Sequence, residues 1–282
     1  MKKAGVIGAG QMGMDIAQLF AKAGIDVVVR DMTMDILNRS KEKLEKSLAK
    51  LVTKGKMTEE QKEAIQGKFF FTTNLADVSD CDIVVEAIVE NVEIKKNVFK
   101  ELDSICDDKT IFASNTSSIS ITEIASAVKR ADKFIGMHFF NPATVMKLVE
   151  VIRGFETSDE TFEAIYQLSK DLGKEPIEVN EGPGFVVNRL LIPMINEAIF
   201  VYAEGIASVE DIDKAMQLGA NHPMGPLALS DLIGNDTVLH IMEVMYNETN
   251  DSKYRPAPLL RKMVRAKKLG RKTGIGFYDY NK

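Results

Sequence analysis

The run Gly8-Ala9-Gly10-Gln11-Met12-Gly13 constrains this chain more than any other stretch, because of what flanks it. Lys3 to Gly8 is short and apolar, as a buried strand is. After the glycines, Met14, Ile16, Ala17, Phe20 and Ala21 recur at helical spacing as far as Gly24. Asp26-Val-Val-Val-Arg30-Asp31 then reads as a second strand ending in an acid. A glycine turn that leaves a strand and opens a helix, with an acid closing the next strand, is the context of a dinucleotide site. The first glycine permits the turn, the second lets backbone approach a pyrophosphate, and the third lets helix and strand pack closely. The helix N-terminus offers N–H groups to the phosphates. The expected loop contacts are therefore Gly8, Ala9, Gly10, Gln11, Met12 and Gly13. Asp31 can accept both hydroxyls of a ribose and would repel a 2′-phosphate, so NAD is favoured over NADP.

Beyond this unit, Met34 to about Gly55 has a helical pattern. Leu37, Leu44, Leu48 and Leu51 form one stripe, and Lys43, Ser47, Lys50 and Lys54 form a second. Thr58 caps another helix, with Glu60 and Gln61 in its first turn. The pair is an αα-hairpin inserted at about 34–67. Its basic stripe fits either a solvated face or a site for an anionic, phosphate-bearing substrate. Strands are expected at Phe69–Thr73, Asp82–Glu86, Thr110–Ser114, Lys133–His138, Met146–Ile152 and Glu175–Val179, with helices at Lys95–Ile105 and Gly154–Gly173. Glu90 should lie at the carboxyl edge of the sheet, where open α/β folds bind ligands. With Lys95 it forms either a cofactor contact or a surface ion pair. Glu181-Gly-Pro-Gly184 is the clearest breaker cluster. The fold class is thus α/β, with a Rossmann-like parallel sheet domain over 1–183 and an all-α domain over 184–282. Phe185 to Tyr202 is apolar nearly all round, which predicts a buried helix, kinked at Pro193, and a subunit interface. Two more helices are expected after the Asn221–Pro226 turn.

The net charge of −5 supplies no global positive field for a nucleic-acid backbone. No apolar run approaches the ~18 residues of a membrane span. The apolar start is broken by glycines, Gln11 and Asp15, unlike a signal peptide. Two cysteines without a CxxC suit a reduced, cytoplasmic setting. No cluster has metal-ligand spacing.

The chemistry concentrates between Ala113 and Ile152. His138 is one of three histidines and closes an expected strand. Imidazoles ordinarily titrate near neutrality and serve as general acids and bases. Glu150 sits inside the apolar run Leu-Val-Glu-Val-Ile and needs a partner if buried. A hydrogen bond from His138 would satisfy Glu150 and fix the imidazole tautomer.

Gly-Ala-Gly-Gln-Met-Gly, Val-Glu-Ala-Ile-Val-Glu, Ala-Ser-Asn-Thr-Ser-Ser, Gly-Met-His-Phe-Phe-Asn-Pro, Lys-Leu-Val-Glu-Val-Ile, Gly-Phe-Val-Val-Asn-Arg and His-Pro-Met-Gly-Pro occur together and in order. On these motifs the chain resembles the L-3-hydroxyacyl-CoA dehydrogenases over essentially its full length, most of all the bacterial 3-hydroxybutyryl-CoA dehydrogenases. The resemblance implies reversible oxidation of (S)-3-hydroxybutyryl-CoA to acetoacetyl-CoA, in butyrate metabolism or fatty-acid β-oxidation. It implies an active site in the cleft between the two domains and a homodimer formed through the helical one. It assigns His138 as the acid/base, Glu150 as its orienter, Ser117 to the substrate oxygen and nicotinamide, and Asn188 to the thioester end. Asp31, Glu90, Lys95, Asn115, Ser117, Asn141 and Lys272 match cofactor contacts. Ser47, Lys50 and Lys54 match the CoA-contacting helix, and at every catalytic position the family's residue type is present.

Two other readings stay open. A β-hydroxyacid dehydrogenase acting on a CoA-free substrate would use a lysine base in its helical domain, where this chain has Asn188-Arg189. A non-enzymatic dinucleotide-binding relative would not need the Ser117, His138, Glu150 and Asn188 set. Lys54→Ala is expected to raise KM for an acyl-CoA far more than for a CoA-free thioester. Equal effects on both would return the basic stripe to a solvated face.

Overall fold

A computed structural model describes residues 1–281 as two compact units, Met1–Glu181 and Gly182–Lys282 less its last residue. The first begins with β1 (Lys3–Ile7), α1 (Gln11–Lys22), β2 (Asp26–Arg30), α2 (Met34–Thr53), α3 (Glu59–Gln66) and β3 (Phe69–Thr72). It continues with β4 (Ile83–Glu86), α4 (Val92–Ile105), β5 (Ile111–Ser114), α5 (Ile121–Ala125) and β6 (Phe134–Phe139). It ends with β7 (Leu148–Arg153), α6 (Asp159–Asp171) and β8 (Glu175–Asn180). One eight-stranded sheet results, in the order β3-β2-β1-β4-β5-β6-β7-β8.

All pairings are parallel except β6 with β7, which is antiparallel. The Rossmann-like parallel sheet expected from the sequence is present, with this one antiparallel pair inside it. Too few residues separate Phe139 from Leu148 for a crossover, which needs a dozen or so, and the chain doubles back. The expected helix from Gly154 likewise begins only at Asp159, behind a turn, because the Ser158 side chain accepts from Thr161 N and sets the N-cap there.

The inserted hairpin forms as its pattern requires. Leu37 and Leu48 are fully buried and Leu44 nearly so, while Lys43, Ser47, Lys50 and Lys54 are exposed. Thr58 and Gln61 satisfy each other's backbone in a capping box that starts α3.

The second unit contains α7 (Val187–Ala203), α8 (Val209–Gly219), α9 (Pro226–Ile233), α10 (Asn235–Thr249) and α11 (Pro258–Arg265). Three helices, not two, follow the Asn221–Pro226 turn. Gly234, at φ +103°, breaks what reads in sequence as one segment into α9 and α10. Helix α7 runs on through Pro193. It is not buried all round: Ile192, Ile195 and Ile199 face the core, whereas Leu190 is 72% exposed. A unit of this size has too little interior to surround a helix.

Leu48→Ala is expected to destabilise the first unit by about 2–5 kcal/mol through cavity formation. Urea unfolding checks this, and a loss below about 1 kcal/mol would mean that α2 is not anchored by its leucine stripe.

Candidate active site

Register brings the ends of the central strands level. Ile7 stands beside Glu86, Glu86 beside Ser114, and Ser114 beside Gly136. The segments that leave β1, β4, β5 and β6 therefore meet along one edge of the sheet.

The first of them is the glycine loop. Gly8 has φ +103°, and a Cβ there would lie 2.6 Å from the Ala87 carbonyl oxygen. A Cβ on Gly13 would collide with the Gly8 carbonyl oxygen, whereas one on Gly10 would meet nothing. Gly10, the N-cap of α1, supplies no side-chain cap. The loop is thus closed toward the sheet and open above α1, which fits a pyrophosphate at the helix N-terminus. Asp31 follows β2 and accepts from Ala9 N and Met32 N, both at 2.6 Å. Each carboxylate oxygen keeps acceptor capacity for a ribose hydroxyl.

His138 and Glu150 are directly opposed across the antiparallel β6–β7 ladder. Cross-strand partners share a face of the sheet. Their side chains meet with His138 Nδ1 2.7 Å from Glu150 Oε2. His138 is 5% exposed and Glu150 fully buried. The Phe140 ring packs at 4.5 Å from the imidazole centroid. Nearby, Asn115 Oδ1 accepts from Phe139 N at 2.9 Å and ties the loop after β5 to the end of β6. Asp15, buried on α1, accepts from Ala143 N at 3.0 Å and so anchors the segment just past the exposed Asn141.

Glu90 organises the Asn115–Ser118 loop. Its Oε1 accepts from Thr116 Oγ1 (2.6 Å), Ser117 N (2.9 Å), Ser117 Oγ (3.3 Å) and Ser118 Oγ (3.2 Å). Burial pushes the Glu90 carboxyl up, but the Lys95 ammonium and the donors from Thr116 and Ser117 outweigh it and hold the group below its ordinary value. Lys95 is only 1% exposed, and its ammonium lies 2.6 Å from Glu86 Oε1 and 3.2 Å from Glu90 Oε2. The surface ion pair offered as one reading of Glu90 and Lys95 is therefore wrong. Lysines on a helix usually extend to water, but two acids at the sheet edge hold this one inside. Glu86 was not among the residues expected from the sequence, although Ile83-Val-Val-Glu86 carries the same signal as Glu150, an acid inside an apolar strand.

The first unit thus gathers the glycine loop, Asp31, Glu90, Lys95, Asn115, Ser117, His138, Asn141 and Glu150 along one edge. A cavity of about 280 Å³ opens between α1 and α2, lined by Gly10, Gln11, Asp15, Ser40, Lys43 and Ser47 among others. Lys50 and Lys54 continue the exposed stripe of α2 beyond it. Two expected residues belong to the second unit. Asn188 is in the first turn of α7, and Lys272 forms an ion pair with Asp236.

Residues 3–182 match the 3-hydroxyacyl-CoA dehydrogenase NAD binding domain, and residues 184–280 match the C-terminal domain of the same family. The chain is 59% identical over 280 residues to the 3-hydroxybutyryl-CoA dehydrogenase of Clostridioides difficile, covering 99% of this chain and 100% of that one. It is 48% identical to the human mitochondrial hydroxyacyl-coenzyme A dehydrogenase over 288 residues, covering 99% and 91%. The crystal structure of (S)-3-hydroxybutyryl-CoA dehydrogenase from Ralstonia eutropha superposes with a TM-score of 0.97 at 52% identity, with both chains covered completely.

A side chain at position 13 cannot coexist with the Gly8 carbonyl in this loop. Gly13→Val is expected to weaken NADH binding by at least about tenfold, as loss of the close helix–strand approach implies. Titration by nicotinamide fluorescence reads this. An unchanged Kd would place the cofactor elsewhere.

Proposed function

The chain belongs to the 3-hydroxyacyl-CoA dehydrogenase family, and from that premise we propose that it interconverts (S)-3-hydroxybutyryl-CoA and acetoacetyl-CoA with His138 as the acid/base. It is an NAD-linked oxidoreductase acting on CH–OH groups. The observation that carries the assignment of roles is the buried His138–Glu150 pair at the sheet edge that also holds the glycine loop.

Hydride transfer from a secondary alcohol requires that its hydroxyl proton be taken at the same time. His138 Nδ1–H donates to Glu150, which leaves the Nε2 lone pair to receive the 3-hydroxyl proton. NAD, when bound, accepts the hydride from the same carbon. The Glu150 carboxylate stabilises the imidazolium that forms. In reduction, Nε2–H returns the proton to the ketone oxygen. Ser117, its backbone held by Glu90, orients the substrate oxygen beside the nicotinamide. Asn188 holds the thioester end. Asp31 takes the adenosine ribose, while Glu90, Lys95, Asn115, Asn141 and Lys272 complete the cofactor contacts. Ser47, Lys50 and Lys54 receive the CoA phosphates, a role supported by their exposure along one face of α2 and by the cavity that Ser47 lines.

The active form is a homodimer in the cytoplasm. The helical unit offers the exposed apolar side chains Leu190, Ile206 and Leu218 to such an association. Among the described residues no helix is long and apolar enough to cross a membrane.

His138→Gln is expected to lower kcat by about 10²–10⁴-fold, the usual contribution of a general acid/base, while NADH affinity changes little. NADH oxidation against acetoacetyl-CoA measures the first and fluorescence titration the second. Near-normal turnover in the variant would remove His138 from the mechanism.

A further inference from the structure

Glu86 has no exposed surface, yet its carboxylate makes three separate attachments. Oε1 accepts from Ile88 N at 2.8 Å and from Lys95 Nζ at 2.6 Å. Oε2 accepts from Ser114 Oγ at 2.7 Å. These bonds join the turn after β4, the first turn of α4 and the last residue of β5. Each partner leads to a part of the site. Ala87, next to the Glu86–Ile88 turn, is the residue against which Gly8 packs. Ser114 precedes the Asn115–Ser118 loop. Lys95 passes from Glu86 to Glu90, and Glu90 receives the backbone and hydroxyl of Ser117.

We propose that Glu86 is a positioning residue for catalysis: through the buried chain Glu86–Lys95–Glu90 it fixes the loop that carries Ser117. With no exposed surface, it acts through its neighbours rather than on substrate or cofactor. The inference rests on the reading of Ser117 as the residue beside the substrate oxygen.

The physical reason is charge balance at low dielectric. A single ammonium is shared by two carboxylates, and Lys95 is positioned by both. With Glu86 neutral, the ammonium is drawn wholly to Glu90. The closer approach of Lys95 to Glu90 Oε2 then shifts the carboxylate whose Oε1 holds the four donors of the Thr116–Ser118 segment. Ser114 Oγ loses its ionic acceptor in the same change. Besides its place among the cofactor contacts, Lys95 is thus the link between the two acids.

Glu86→Gln keeps the shape and removes the charge. Its kcat at saturating NADH and acetoacetyl-CoA is expected to fall by about tenfold or more, with KM for acetoacetyl-CoA moving less than about threefold, the pattern of an interaction needed mainly in the transition state. A merely structural role would lower the thermal midpoint and leave kcat per folded molecule unchanged. Lys95→Met cuts the same chain, so the double variant should be no slower than Lys95→Met alone, because groups in one network are not additive. Ser114→Ala, a small deletion, keeps the test open if Glu86→Gln does not fold, and is expected to lower kcat about threefold through the weakened network. Turnover of folded Glu86→Gln within about twofold of the unaltered chain, or effects of Glu86 and Lys95 that multiply, overturns the proposal. Absence of turnover in the unaltered chain overturns instead the reading on which it rests.

Discussion

A carboxylate without access to water must find donors inside the protein, and two such groups, Glu86 and Glu150, stand on strands of one sheet in the first unit. Each resolves the constraint differently. Glu150 receives the imidazole of His138 across an antiparallel rung, which fixes the ring through its Nδ1. Glu86 receives Lys95, Ser114 and a backbone N–H, which draws α4 and the serine loop onto the sheet edge. The site is built around satisfying these two buried charges. The reversal of the chain between β6 and β7 is what makes the first solution possible, because it places residues 138 and 150 opposite each other.

The glycine loop was legible in the sequence. Gly8, Gly10 and Gly13 each have a distinct steric role, and those roles hold whatever surrounds the loop. Asp31 was legible for the same reason: an acid at the end of a short apolar strand has few other places to be. The leucine stripe of α2 was also legible, since helical spacing sorts a long amphipathic helix without help from its neighbours. His138 and Glu150 could be paired by chemistry, a buried acid needing a donor, but not by register. The link between Phe139 and Leu148, too short for a crossover, signals that β7 runs backwards, but it does not fix the register that sets residue 138 opposite residue 150.

What was hidden depended on tertiary context. Lys95 looks like any helical lysine until Glu86 and Glu90 are seen to enclose it. Helix α7 looks fully buried until the size of its unit is considered, which leaves Leu190 outside. The break between α9 and α10 turns on Gly234 alone. Local pattern states which residues prefer the interior, but only the assembled fold states how much interior there is.

The competing chemistries separate on the same residues. A lysine-based hydroxyacid mechanism takes its base from the helical domain, and at that place this chain carries Asn188 and Arg189. A binding protein without catalysis has no use for an imidazole fixed in one tautomer. The most direct measurement is therefore the protonation of the His138 ring, read by long-range nitrogen–proton correlation in protein labelled with 15N-histidine, at mildly alkaline pH, with His138→Gln used to assign the signal. The account requires the proton on Nδ1 and a bare Nε2. A proton on Nε2, or an even mixture of tautomers, would contradict the central claim that Glu150 sets this ring for catalysis.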